Sequence, residues 1–237
     1  MDLIWTQYGA PADAALASAI ERAQAHDPLA AVHVIAPNRY AALAARHTLA
    51  RRPRGLINVR CEPLSALAGL LGAPALIAAG KRPLSTARLT AELRRTLRRQ
   101  PATPATLRAY RRAYTELRNG TPTDLERIAA VSPHAARAVA VFQAVRAVVV
   151  ERTFDDVDLL EQAAIQIDAH PPSDLGTILW WLPGTTTRAE RNLVRALAAA
   201  LPFVTVSATT GEPDADTATR TSLAAVYGSL PSTEPPE

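Results

Sequence analysis

Arg94, Arg95, Arg98 and Arg99 fall at i, i+1, i+4 and i+5, a spacing that gathers side chains on one side of a helix. Arg108, Arg111 and Arg112 repeat the arrangement one predicted helix later, with Tyr110 and Tyr114 between and beyond them. Guanidinium groups grip phosphate oxygens in pairs, and tyrosine rings offer faces on which unpaired bases stack. Three readings compete: a nucleic-acid interface, a solvated face in a chain that uses arginine in place of lysine, and a surface for an acidic protein. Arginine does replace lysine almost throughout, since 25 of the 26 basic residues are arginine and only Lys81 is lysine.

That single lysine excludes much chemistry. A phosphate-cradling loop needs Gly-x-x-x-x-Gly-Lys-Ser/Thr. Lys81 follows Gly80, but Ala75 stands where the first glycine belongs and Arg82 replaces the hydroxyl. A nuclease site that pairs carboxylates with a lysine has only Lys81 to draw on, and no such set surrounds it. Phe154-Asp155-Asp156-Val157-Asp158 offers three carboxylates, which cap a helix more readily than they hold magnesium. The five histidines, His26, His33, His47, His134 and His170, form no metal-binding pair, and no Gly-x-Ser-x-Gly elbow exists. Lone Cys61 excludes an internal disulfide and any zinc site built on two thiolates. No metal, no cofactor and no catalytic residue is expected.

Gly9, Ala10, Pro11, Ala12 and Asp13 follow the first predicted strand, where α/β proteins receive phosphate at a helix N-terminus. Gly9 suits a turn, but Pro11 lacks an amide donor and Asp13 places negative charge where phosphate would sit. The segment reads as a vestigial nucleotide loop.

The elements that must position these residues form three blocks. Residues 1–80 alternate predicted strands (3–8, 31–36, 56–61) with helices (12–24, 40–50, 64–71). That pattern argues for a parallel sheet with helices on both faces. Residues 81–170 show helical periodicity without a convincing strand: 85–99, 104–119, 123–131, 133–151, and one capped by Asp155 or Asp156 running to 169. The α/β pattern returns with a strand at 177–182, a helix at 187–200 and a strand at 203–207. Trp180 and Trp181 are core material there. Residues 212–237, rich in Pro, Thr and Asp, read as a mostly disordered tail. The expected architecture is a P-loop-NTPase-like α/β sheet (1–80 with 171–211) interrupted by an all-α insertion.

With 237 residues, 48% of them hydrophobic and 20% charged, the chain has enough apolar material for this core. No apolar run spans a membrane and no signal peptide opens the sequence, so a cytoplasmic address is expected. The net charge of +4 hides an asymmetry: residues 81–118 hold eleven Lys/Arg against Glu92 and Glu116, while 151–175 hold seven Asp/Glu against Arg152.

Trp5 to Leu16, Val32 to Tyr40, Gly55 to Val59 and Leu64 to Gly72 together resemble the N-terminal part of AddB/RexB-like proteins. Those are PD-(D/E)XK-nuclease-family relatives of UvrD/RecB-type helicases whose helicase-like domain is inactivated. The resemblance implies that residues 9–13 occupy the Walker A place without its lysine. It places Asn38, Arg39 and Arg46 in the segment that touches single-stranded DNA, Phe154 to Leu160 in the signature where the chain re-enters the first domain, and Leu182-Pro183 where active members hold an Asp-Glu pair. Thr209 to Pro213 would stand at the next motif. It further implies an insertion lying along DNA, and hence a non-catalytic DNA-binding or scaffold module of double-strand-break repair. Its partners would be single- or double-stranded DNA and a separate helicase or nuclease subunit. A nucleotide-using α/β enzyme with an atypical phosphate loop and a pure protein-interaction module are the alternatives.

Overall fold

A computed structural model describes residues 2–52, 55–98 and 103–230. They divide into two compact units, Met1–Gly72 with Leu160–Glu237, and Ala73–Leu159. In chain order the elements are β1 (Asp2–Gln7), α1 (Ala10–Ala23), β2 (Val32–Ala36), α2 (Arg39–Ala50), β3 (Val59–Pro63) and α3 (Leu64–Ala78). Next come β4 (Arg82–Pro83), α4 (Thr86–Thr96), α5 (Pro104–Leu117), α6 (Pro122–Val131), α7 (Pro133–Val149), β5 (Thr153–Phe154) and α8 (Asp156–Ala169). A 3-10 turn at Ser173–Leu175 then leads to β6 (Thr177–Trp181), α9 (Arg188–Ala200), β7 (Phe203–Thr209) and α10 (Pro213–Tyr227).

The first unit is the expected α/β fold, a five-stranded sheet in the order β1-β7-β6-β2-β3 with every pairing parallel. Such a sheet must be covered on both faces, which is why β2 is buried at all five positions. One face, with Val32, Val34, Leu179, Trp181 and Val206, packs against Leu16 and Ile20 of α1 and Ala45 and Leu49 of α2. Strand alternation turns Thr205 to the other face, where Tyr227 of α10 donates its hydroxyl to Thr205 Oγ1 at 2.5 Å. Reversal of the strand order puts α9 there too, because parallel crossovers are right-handed.

Gly176 admits Thr177 to the sheet beside Ala31. At φ +66° its added Cβ would lie 2.0 Å from the Ala31 carbonyl oxygen, whose partner is the Thr177 amide. Only glycine fits.

The second unit is built on α7, whose Val139, Phe142, Val145 and Val149 pack with Leu89, Leu93 and Leu97, Leu107 and Tyr114 of α5, and Leu125 of α6. Side chains of Ser85, Thr103, Thr121 and Ser132 cap α4, α5, α6 and α7, and Pro opens α5, α6 and α7, where its missing amide costs nothing.

Three expectations need correction. Residues 213–227 of the supposed tail form α10, with Leu223 and Val226 buried. The third strand begins at Val59 rather than 56, because Asn58 takes a left-handed φ of 52° and its backbone carbonyl receives the Val32 amide. The insertion is not wholly α-helical, since β4 and β5 form a parallel two-residue ladder.

Candidate nucleic-acid interface

In α4 the Leu89–Leu93 stripe is buried, Arg88, Arg94 and Arg95 project on the opposite, exposed side, and Arg98 is exposed in the turn that follows the helix. The i+7 spacing (88, 95), with Arg94 next to Arg95, puts the three helical arginines within one broad arc. Arg95 donates to Glu92 Oε2 at 2.5 Å, so part of its charge is answered locally. Arg99 lies outside the described residues. In α5, Arg108 and Arg112 are exposed and Arg111 lies on the flank. Arg112 pairs with Glu116 at 2.8 Å, fully in solvent, an arrangement that contributes little to stability. The unit holding both helices carries fifteen Lys/Arg against eight Asp/Glu, net +7, and the remainder of the chain carries eleven against fourteen, net −3.

The tyrosines do not serve as stacking faces. Tyr114 is 3% exposed and meets Phe142 with ring centroids 5.3 Å apart. Burial pushes its hydroxyl above the ordinary tyrosine range. Tyr110 packs half-buried against the same core. Their four-residue spacing belongs to the packed stripe of α5.

Asn38, Arg39 and Arg46 belong to the other unit. Asn38 caps α2, its Oδ1 accepting from the Ala41 amide at 2.9 Å, which gives it a structural task. Arg39 and Arg46 are exposed on a helix with no acidic residue. Burial pushes the Cys61 thiol up to about 11 against the downward pull of the Arg46 charge, which keeps it protonated at neutral pH.

Of the supposed nucleotide loop, Ala10, Pro11, Ala12 and Asp13 are the first turn of α1, and only Tyr8 and Gly9 connect it to β1. Gly9 turns the chain at φ 92°. Two residues cannot wrap a triphosphate, Pro11 has no amide, and the Asp13 amide already donates to the Gly9 carbonyl. On the same carboxyl edge, Asp216 accepts from the Thr210 amide (2.8 Å), the Thr210 hydroxyl (2.8 Å) and the Gly211 amide (3.1 Å). Those hydrogen bonds, the Thr210 amide foremost, hold its carboxyl below the usual range. An internal carboxylate thus takes donors that a phosphate would need. At the end of β6, Leu182 adopts φ 48° and Pro183 follows, with no carboxylate in either place. A groove of about 420 Å³ between the C-terminal turns of α1 and α2 and residues 55–57 lies at the opposite edge of the sheet.

The Asp155–Asp158 segment works as a cap and as more. Asp155 Oδ1 accepts from the Asp158 amide (3.1 Å) and Asp158 Oδ2 from the Asp155 amide (2.9 Å), a reciprocal box opening α8. Arg118 donates to Asp155 (2.9 Å) and Asp158 (2.5 Å), and Arg146 donates to Asp158 (2.7 Å). These partners lie 12 to 40 residues away, a separation at which sequence spacing carries no signal. Among the described residues no group of three or more His, Cys, Asp or Glu is placed to hold a metal, and no helix is long and apolar enough to cross a membrane. No protein-family model matches the sequence, and no curated protein matches it.

Proposed function

We propose that the chain is a non-catalytic, helicase-derived module that holds nucleic acid, in the setting of recombinational double-strand-break repair suggested by its resemblance to AddB/RexB-like proteins. One observation carries this reading: α4 and α5 both turn arginines outward, opposite their packed stripes, in a unit of net charge +7. Arg94, Arg98 and Arg108 have no carboxylate within ion-pair distance among the described residues, which leaves their guanidinium groups for phosphate. The two-residue β1–α1 connection and the Asp13 charge argue against the rival reading as a nucleotide-using enzyme.

Binding of a fluorescent single-stranded oligonucleotide should lose about two orders of magnitude in affinity between ~50 and ~200 mM salt, as about four or five phosphate contacts imply. The triple change Arg94→Glu, Arg98→Glu, Arg108→Glu should abolish it at every salt concentration. Flat, salt-independent binding, or unchanged affinity in the triple variant, would remove these helices from the interface.

A further inference from the structure

The two edges of the sheet are built differently. At one edge β3 reads Val59-Arg60-Cys61-Glu62-Pro63, with two charges and a terminal proline, the devices that discourage a further strand. At the other, β1 reads Asp2-Leu3-Ile4-Trp5-Thr6-Gln7 and has none of them beyond Asp2 at its start. It pairs with β7 alone, and no described residue pairs with its outer side. Its four central residues are only partly buried, against complete burial of β2.

The parity of the ladder says which groups are left over. The Tyr8 amide donates to Thr209 in β7. In a parallel strand the amide and carbonyl of one residue point the same way and alternate along the chain. Ile4 and Thr6 therefore serve β7 as Tyr8 does, and Leu3, Trp5 and Gln7 aim both donor and acceptor outward. An extended strand is the protein partner that matches such a row group for group.

We propose that β1 pairs with β1 of a second copy of this chain, antiparallel about a two-fold axis at Trp5, joining two five-stranded sheets into one of ten. The sequence is self-complementary in this register. Leu3 faces Gln7 of the other copy, Trp5 faces Trp5, Ile4 faces Thr6, and all six outward groups of each strand find partners. The single charge, Asp2, meets Tyr8 rather than a like charge. Cross-strand apolar and aromatic pairs add to such a seam, and a self-complementary patch is what a two-fold dimer requires. The Arg220 guanidinium, 5.6 Å from the Trp5 ring centroid, lies over the indole. This pairing is independent of nucleic-acid binding.

Sedimentation equilibrium tests it directly. The expected mass is twice 25.3 kDa at high concentration, falling toward 25.3 kDa over about a hundredfold dilution. A mass of one chain throughout overturns the proposal. Leu3→Pro with Gln7→Pro removes two outward donors per strand while sparing those of Ile4, Thr6 and Tyr8, so the variant should be folded by circular dichroism and monomeric. A variant that remains dimeric places the interface elsewhere and overturns the proposal. Hydrogen exchange on the unmodified protein gives the answer even if that variant misfolds. The amides of Leu3, Trp5 and Gln7 should lose protection on dilution while those of Ile4 and Thr6 keep theirs; outward amides that exchange freely at every concentration refute the pairing.

Discussion

Asp158 sits where four separate demands meet: it closes the cap of α8, accepts from Arg118 and Arg146, and shares their charge with Asp155. Removing one partner of such a buried cluster leaves the others uncompensated, so Asp158→Ala should cost about 3–5 kcal/mol in a denaturant titration. The two carboxyls move in opposite directions. Burial pushes both up, but the Arg146 hydrogen bond, the Asp155 amide and the Arg118 charge bring Asp158 below the ordinary carboxylate range. In Asp155 burial prevails over Arg118, and its carboxyl lies above that range. The stabilisation from Asp158 is therefore present above the unfolded value near ~3.9 and is lost as pH falls through its depressed folded value. Asp155 acts the other way, weakening the fold as pH rises through the ordinary range. Stability against pH should accordingly show a loss below about pH 4 that Asp155→Asn makes steeper, because that variant lacks the opposing group. The role of the aspartates as a helix cap was legible in their spacing; their arginines were not, because nothing local links residue 118 or 146 to 158. Gly176 is a similar case. Its need for glycine comes from the Ala31 carbonyl across the sheet, and Gly176→Ala should lower stability by at least ~1–3 kcal/mol in the same measurement.

Elements with a strong period were readable, and those defined by a partner were not. The leucine stripe of α4 and the apolar faces of α7 and α9 recur every three or four residues, and the short runs at β2 and β6 are apolar but for His33 and Thr177. Helix α10 hides among Thr, Asp and Pro because only Leu223 and Val226, with Ser222, turn fully inward. Its register is held from outside: Arg195 of α9 donates to the carbonyls of Ala225 and Val226, and Ser222 accepts from the Thr186 amide at 3.0 Å. Leu223, with no exposed surface, should cost about 2–5 kcal/mol when cut to alanine, seen as a lower melting temperature. A truly disordered tail would show no change. For the candidate interface, helical spacing grouped the arginines by side, and Arg94, Arg95, Arg98, Arg108 and Arg112 are exposed while Arg111 lies on the flank. The same spacing misplaced Tyr110 and Tyr114, because a tyrosine spaced for stacking is equally spaced for a core.

At the scale of the whole molecule the charge division follows the architecture, with the excess of arginine confined to the inserted unit. The alternation of strand and helix predicted the parallel sheet, but strand order lies beyond any local pattern, and the unguarded edge of β1 became visible only with that order. The small ladder of β4 and β5 has a consequence of its own. Running side by side, the ingoing and outgoing chains of the insertion are pinned about 5 Å apart. Because the two strands run parallel, the chain must return to the start of β5, and a bridge of about a dozen Gly/Ser residues makes that crossover. Replacing residues 84–152 with such a bridge should leave the amides of β2, β6 and β7 as slow to exchange as before. The arginine-bearing helices are thus exchangeable cargo, open to replacement without any change in the strand order of the sheet.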